Sequence, residues 1–432
     1  MREKLAGIAH RILEKLPSNV QSAHVIVSFD ENTPVNFEAD KLKSIKSSRT
    51  MNLTLKVIEE GRRGASSVTS PQDIDVLIEN AIASAKFGRK VSYIFPNPAP
   101  PPQVEIFDEA VTEITTEEMV ERCQEMIHMM KGYNPDISTY AGASKSISYF
   151  HMANTSGLDY GDVSSEYGIG IYGELVRGED ILYAGYGFGW RKAEIDHVMV
   201  AREAIERFKL AERNVKISSG RYPVLFPPTG LGTLLLTLRL ALSGKNVLMG
   251  DSPLSDKLDR QVFNSSLSLT DTALTDYMSG SGRHDSDGVR KGETILIDSG
   301  VLKGFLYDLD TASRAGRKPT GNSGCAPNNW IISPGQQPLS DILSSIKEGL
   351  MVESVMGLGQ GNPISGEFSV NVALGYKIEN GEIVGRVKNT MLAGNVYDAL
   401  KEDIILSAES EWVNGWLKAP AILIPALNVV SR

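Results

Sequence analysis

The stretch GLGTLLLTLRLALSGK, residues 230–245, directly follows the strand-like segment YPVLF at 222–226 and has one ionisable residue, Arg239, before its closing lysine. A helix that spans a membrane needs about 20 consecutive apolar residues. The apolar run here, 231–242, has only 12 residues, and Arg239 lies inside it. The pattern therefore predicts a helix buried in a protein core, with no membrane span.

The bulk composition places the chain among globular proteins. It has 432 residues, more than one ordinary core accommodates, so two or three domains are expected. A formal charge of −9 argues against direct nucleic-acid binding, because such proteins are usually basic. Two distant cysteines, Cys123 and Cys325, form no disulfide framework and fit a reducing compartment, so we expect a cytoplasmic protein.

The organisation of the chain indicates an α+β protein. Residues 1–95 are expected to form an α/β N-terminal domain, and the run PNPAPPP at 96–102 is the best candidate for a linker, because prolines favour extended polyproline II geometry. Residues 103–215 are expected to form a middle α+β domain. A large β-rich C-terminal domain is expected over 216–432.

Local signals support this division. MNLTLKV at 51–57 alternates apolar and polar residues, which predicts a half-buried strand. Thr115 and Glu118 have the spacing of a capping box, and Asn380-Gly381 is a strong hairpin signal. SDILSSIKEGLMVE at 340–353 is interpreted as one helix, and PAILIPALNVV at 420–430 as a strand interrupted by its internal proline.

No motif specifies chemistry from first principles. The chain has six histidines, and no two of them lie within five residues of each other, so there is no pair on one helical turn. RHDSDGVRKGE at 283–293 resembles the start of a calcium loop, but Val289 occupies a ligand position and Glu293 comes too early. GNSGC at 321–325 approaches a nucleophile elbow but ends in cysteine and lacks the apolar strand that leads into one.

A family resemblance is specific in the last half of the chain. The motifs occur in the order RYPVLFPP, the apolar helix, ALSGKN, DSPLSDKLDRQVFN, DSDGVRKGETILIDSGVLKGFLYDLDTASRAG, PTGNSGC, ISGEFSVNVALGYKIENGEIVG and MLAGNVYDAL. This succession resembles the TldD/PmbA family, and the resemblance also covers the N-terminal helix and NTSG at 154–157. It implies a three-part architecture, dimers and peptide processing.

The resemblance also implies what this chain lacks. The catalytic TldD branch carries HExxxH on the helix after the YPV-type strand, which supplies two zinc ligands and an acid/base glutamate, and a cysteine near the C-terminus is the third ligand. The two histidine positions fall near Leu235 and Leu240, and the glutamate near Leu236. The segment 414–427 contains no cysteine. No catalytic or metal-binding residue is therefore assigned, and the chain resembles the PmbA branch, also called TldE and described as a modulator of DNA gyrase.

The leading hypothesis is a non-catalytic, PmbA/TldE-like subunit that pairs with a TldD-like zinc protease and helps to bind unfolded peptides. Zinc is expected only in that partner, and the peptide is expected to add a strand to a sheet edge of the C-terminal domain. One alternative is a homodimeric peptide-binding or regulatory protein without protease activity. Another is an autonomous metallopeptidase that uses His284, Asp285 and Asp287.

Three polar residues are candidates for a surface that faces substrate or partner. They lie in turn-rich family motifs and are Asp308, Asn322 and Asn329. Hydrogen bonding within turns is the other interpretation of all three.

Overall fold

The computed structural model describes residues 1–431. Their strands form two sheets in which most neighbouring strands are antiparallel. The first sheet has seven strands in the order β4-β3-β1-β5-β6-β7, with β2 paired to β1. These strands are β1 (Val20–Glu38), β2 (Lys41–Ile45), β3 (Ser48–Glu59), β4 (Arg62–Val68), β5 (Ser138–Asn154), β6 (Asp159–Arg177) and β7 (Asp180–Trp190).

Four longer helices cover this sheet. They are α1 (Arg2–Glu14), α2 (Ile74–Ala85), α4 (Thr116–Tyr133) and α5 (His197–Leu210), and a short α3 (Ala110–Glu113) precedes α4. On β1 the buried apolar residues occupy odd positions, so they lie on one side of the strand. Val25 and Val27 share a core with α1 and α2, whereas Val35 and Phe37 share one with α4 and α5.

The predicted local features of this half are present. Leu53, Leu55 and Val57 of β3 are fully buried, as the alternating pattern predicted. Thr115 and Glu118 form both hydrogen bonds of the capping box. Cys123 is buried, and burial raises the pKa of its thiol to about 12, which fits a core residue.

The proline run does not separate two independent sheets. β1 lies before it and β5 after it, and the two strands pair continuously from His24↔Asn154 to Glu38↔Tyr140. The segment 91–108 is an extended strap, and Arg290 donates a hydrogen bond to the carbonyl oxygen of Pro100 at 2.9 Å. The expected N-terminal and middle portions therefore complete one sheet together.

The C-terminal part is β-rich, as predicted. Its sheet has twelve strands, with the order β12-β11-β10-β13-β19-β9-β14-β15-β16-β8 and with β17 and β18 paired to β19. They are β8 (Asn214–Val215), β9 (Gly220–Phe226), β10 (Leu269–Thr272), β11 (Glu293–Asp298), β12 (Val301–Leu302), β13 (Asn329–Ile332), β14 (Glu348–Met356), β15 (Glu367–Glu379), β16 (Glu382–Val387), β17 (Thr390–Asn395), β18 (Ile405–Val413) and β19 (Leu417–Ser431). Its helices are α6 (Gly232–Ala241), α7 (Gly244–Met249), α8 (Leu309–Ala315), α9 (Leu339–Ser345) and α10 (Val396–Ala399).

Two expectations for this part need correction. The segment 340–353 is not one helix, because α9 ends at Ser345 and the chain then enters β14, whose Leu350 and Val352 are fully buried. The proline at 425 does not end the last strand either: β19 continues to Ser431, and its register against β9 shifts between Ile424 and Leu427. Within residues 1–431, no helix is both long and apolar enough to cross a bilayer.

Candidate functional site

Helix α6 is the predicted apolar helix, and it is set against the centre of the C-terminal sheet. β9 leads into a 3₁₀ turn, Pro228–Leu231, and α6 follows directly. Gly230 in this turn is buried, and a Cβ atom there would overlap the carbonyl oxygen of Val352. Only glycine permits this close approach between the turn and the central strand β14.

The three leucines at the positions that the family resemblance aligns with a zinc motif are packed differently. Leu235 is only 4% exposed and belongs to the main core of the C-terminal part. Leu236 and Leu240 are partly exposed along the side of the helix. The side chains of the leucines have no nitrogen or oxygen atom, so none of them can bind zinc or transfer a proton.

A glycine-rich loop over 356–366 covers this side of α6. Thr237 donates a hydrogen bond from Oγ1 to the carbonyl oxygen of Pro363 at 2.9 Å, and the side chain of Leu236 lies against Gly359. The space left between the loop and the helix is a cavity of about 20 Å³, which is room for about one water molecule. Little open space is therefore left on this side of α6.

A much larger groove lies close by. Its volume is about 630 Å³, and it runs between the edge strand β7 and the C-terminal part. Tyr140, Tyr172 and Tyr183 line one wall, and Thr229, from the turn before α6, and Glu353 of β14 line the other. The groove therefore lies between the edge strand β7 and the turn that leads into helix α6.

The aromatic wall comes from three neighbouring strands. Tyr140 on β5 is directly opposite Tyr172 on β6, and Tyr183 on β7 is directly opposite Glu174. Tyr172 is 57% and Tyr183 is 61% exposed, which is unusual for rings of this size. A Cβ at Gly185 would overlap the ring of Tyr172, so the glycine of β7 leaves the space in which this ring lies.

The opposite wall holds an ion pair. The Arg207 guanidinium lies 3.5 Å from a carboxylate oxygen of Glu353 and 4.9 Å above the ring of Tyr186. Thr229 donates a hydrogen bond to the same carboxylate at 2.7 Å. Nearby, burial and then the charge of Glu203 raise the pKa of Glu411 above its ordinary value. This wall is thus polar, and the charge of its Glu353 carboxylate is balanced by Arg207.

Asp180 fixes the start of β7 to the C-terminal sheet. Its carboxylate lies 3.0 Å from Arg386 and 3.0 Å from Lys388, and Asn214 donates to it at 2.8 Å. Arg386 also donates to the carbonyl oxygen of Ile181 at 3.1 Å. Burial alone would raise the pKa of Asp180, but the hydrogen bonds from Asn214 and Lys388 and the charge of Arg386 lower it to about 2.

The three polar candidates have partners inside the chain. Asp308 is the N-cap of α8 and accepts hydrogen bonds from the backbone and the hydroxyl of Thr311 at 2.8 and 2.7 Å. Asn322 is 1% exposed and donates to Asp271 at 2.8 Å, and Asn329 is fully buried. The expected surface position of the two asparagines is thus wrong, because the core of the C-terminal part encloses them.

The proposed alternative ligands do not converge. Asp287 pairs with Lys56 at 2.7 Å, and Asp285 accepts from the backbone N–H of Asp287 and of Val289 at 2.9 and 3.0 Å. The ring of His284 packs beside Tyr160, a ring-centre distance of 4.7 Å. The contacts of Asp287 and His284 join the two parts of the chain, and these residues with Asp285 do not form the ligand set that the autonomous peptidase was expected to use.

Sequence reasoning missed two features. One is the groove, although the alternation GYGFGW at 185–190 signals an edge strand that carries aromatic residues. The other is a cluster of His10, His151 and Asp159, which within residues 1–431 is the one group of three or more such side chains whose ligand atoms lie close enough to share an ion. Its members are too far apart in sequence to give any local signal.

Comparison with known proteins agrees with the fold. Family profiles described as PmbA/TldA metallopeptidase domain 1, central domain and C-terminal domain match residues 23–85, 109–211 and 219–431. Together with the position of α6, this places the chain among metallopeptidase-related proteins. The chain belongs to the PmbA/TldD family.

Relatives and solved structures support the same assignment. An uncharacterised protein of Methanocaldococcus jannaschii is 29% identical over 301 residues, which are 67% of this chain and 69% of that protein. Metalloprotease PmbA of Escherichia coli O157:H7 is 24% identical over 453 residues, which cover 100% of this chain and 97% of that protein.

Two crystal structures have the same fold over the whole chain. One, from Thermotoga maritima, is described as a proposed modulator of a DNA gyrase and has a TM-score of 0.90 at 23% identity, with 100% of both chains covered. The other is TldE from Thermococcus kodakarensis, with a TM-score of 0.88 at 21% identity and 99% of each chain covered.

Proposed function

We propose that this chain is a non-catalytic subunit that binds an extended, unfolded peptide and presents it to a TldD-like partner carrying HExxxH and zinc. The observation that carries the proposal is helix α6. Leu235 is packed in the core, near the position at which the resemblance to the catalytic branch implies a ligand, and a loop closes over Leu236. An unpaired polar or charged group at such a position would cost free energy, whereas leucine is stabilised by burial.

The partner then supplies all of the metal chemistry. The family resemblance implies that zinc in the partner would polarise the peptide carbonyl and activate water, and that a glutamate of the partner would transfer the proton. This chain supplies none of these groups on α6, whose single ionisable residue is the exposed Arg239. Its own contribution is to bind and orient the peptide. We place this work in the cytoplasm, since both cysteines are free and buried.

The peptide site that we favour is β7, which replaces the earlier expectation of an edge in the C-terminal domain. The main path of the C-terminal sheet ends in β12 and β8, which have two residues each and can pair with very little. β18 pairs with β19 alone among the strands, but the segment 335–337 already forms backbone hydrogen bonds with its other edge. The outer edge of β4, the other end strand of the first sheet's main path, is already bonded, because the backbone N–H of Arg63 donates to the carbonyl oxygen of Arg89 and that of Ala65 donates to Ser84 Oγ. β7 has 11 residues, pairs only with β6 in the described sheet and borders the groove.

The groove fits an extended peptide on physical grounds. Added strands gain affinity from backbone hydrogen bonds, which do not depend on sequence, and side chains then fill neighbouring pockets. The exposed rings of Tyr172 and Tyr183 offer large amphipathic surfaces with little conformational freedom to lose. Such a site suits unfolded substrates of varied sequence.

The first test is an affinity purification of the tagged chain from its native cells, with mass spectrometry of the copurifying proteins. Stoichiometric recovery of a relative bearing HExxxH supports the proposal. Recovery of the chain with copies of itself alone contradicts it and favours the homodimeric binding protein.

The second test measures the role of the groove in the reconstituted pair. Tyr183→Ala removes a ring that is 61% exposed, and we expect the KM for an unstructured peptide to rise about 5- to 30-fold, as the loss of roughly 1–2 kcal/mol of contact implies. Phe87→Ala is the matched control, because Phe87 is 93% exposed and lies outside the groove. Equal kinetics for the two variants would reject β7 as the peptide site.

A further inference from the structure

A cluster of polar side chains lies where α1 meets the turn between β5 and β6, far from α6 in the sequence. The Nε2 atom of His10 is 2.9 Å from Oδ2 of Asp159, and the Nε2 atom of His151 is 2.6 Å from Oδ1 of the same carboxylate. All three ligand atoms lie within 4.8 Å of one another. Each of the two imidazoles thus directs its Nε2 atom to the carboxylate of Asp159.

The fold places these groups firmly. His151 is near the end of β5 and Asp159 begins β6, so the two lie on adjacent strands of a tight hairpin. His151 is directly opposite Gly161, and a Cβ there would lie 2.7 Å from its Nδ1 atom. The imidazole therefore occupies space that only a glycine leaves free, and its side chain is 10% exposed.

His10 comes to this place on the first helix. Leu5, Ile8 and Ile12 fix α1 to the sheet, and His10 lies on the flank of that buried stripe. Its ring is edge-on to the ring of His151, with 5.7 Å between centres. The side chains of His10 and Asp159 are 46% and 53% exposed, so an ion can enter from solvent.

We propose that His10, His151 and Asp159 bind one divalent transition-metal ion of the zinc type. Imidazole nitrogen and carboxylate oxygen are ordinary zinc ligands at about 2.0–2.2 Å, and three protein ligands with a water in the fourth position form a common open site. Ligand atoms around a tetrahedral zinc are about 3.3 Å apart by that geometry. Small rotations of the two exposed side chains are enough to convert the present hydrogen bonds into bonds to metal.

The ion would join the first helix to the β5–β6 hairpin. Because His10 and Asp159 are 149 residues apart in the chain, metal binding favours the folded state and raises its melting temperature as the metal concentration exceeds Kd. This role does not depend on the peptide-binding proposal. The site lies in a different part of the fold from α6.

The test titrates zinc into the full, untagged chain and measures binding by isothermal titration calorimetry. The absorption of bound Co²⁺ is a second readout of the ligand set. We expect one ion per chain with a Kd in the micromolar range or tighter. His10→Ala, at a half-exposed helix position that tolerates alanine, should weaken binding at least tenfold, and so should Asp159→Asn.

His128→Ala is the matched control, since His128 is an exposed histidine on helix α4, and it should bind zinc as the wild type does. Zinc should also raise the melting temperature of the wild type and the control, but not that of His10→Ala. The absence of stoichiometric binding, or equal binding by His10→Ala and His128→Ala, would overturn the proposal and leave a hydrogen-bonded His–Asp–His group.

Discussion

Replacing Leu235 measures how much the packing of helix α6 contributes to the free energy of unfolding. Leu235 is 4% exposed and belongs to the same core as the fully buried Trp330. Leu→Ala at such a site loses the transfer free energy of the removed carbons and leaves a cavity, which together cost about 2–5 kcal/mol. Since the core around α6 is closed on several sides, we expect about 3 kcal/mol.

Leu235→His tests the same reasoning from the direction of the catalytic branch. It removes similar apolar burial and also encloses ring nitrogens without partners, which adds about 1–3 kcal/mol. We therefore expect Leu235→His to be less stable than Leu235→Ala. Leu240→Ala, at a partly exposed position, should cost only about 1 kcal/mol.

Urea unfolding followed by tryptophan fluorescence is the assay, because Trp330 and Trp416 pack in or against this core. Leu274→Ala is the matched control: Leu274 is 38% exposed, so its loss should cost well under 1 kcal/mol. The reasoning is refuted if Leu235→Ala is no more destabilising than this control. It is also refuted if the histidine variant is as stable as the wild type.

Three further outcomes follow from single contacts. Gly230→Ala should destabilise the protein by more than about 3 kcal/mol in thermal or urea unfolding, because its Cβ meets backbone, whereas Gly232→Ala, with open space around it, should be neutral or slightly stabilising. The advantage in unfolding free energy of the wild type over Asp180→Asn should be complete above about pH 5, where the unfolded carboxyl is almost fully ionised, and should be lost as pH falls through about 2, the pKa in the folded protein. Unfolding at several pH values checks this, and a constant difference would contradict it. Cys123 should not react with a thiol reagent at neutral pH unless the protein is unfolded, because burial raises its pKa to about 12.

Several features of this protein could be predicted from local sequence. The apolar helix, the capping box at Thr115, and the hairpin at Asn380-Gly381 each depend on residues within one or two turns of one another. The family motifs also predicted an α+β fold with a large β-rich C-terminal part, which is confirmed. Such signals can be interpreted from sequence because the residues that interact lie close together in the chain.

Other features depended on partners far along the chain. Residues 348–353 suit a helix by themselves, but they lie between β9 and β15 in the sheet and adopt the strand that this place requires. β1 and β5 pair across the proline run, and burial of Asn322 and Asn329 follows from packing that their turn sequences do not specify.

The two candidate binding sites were decided by tertiary structure alone. The groove exists because β7 is the last strand of its sheet and because Asp180 fixes it against the C-terminal part. His10 and His151 are brought together only when α1 packs on the completed sheet. Sequence determined the elements whose signals are short-range and the apolar character of helix α6, because both follow from residue type and local spacing. Which side chains meet across long separations depended on closing the chain into two sheets, and no local pattern encodes that closure.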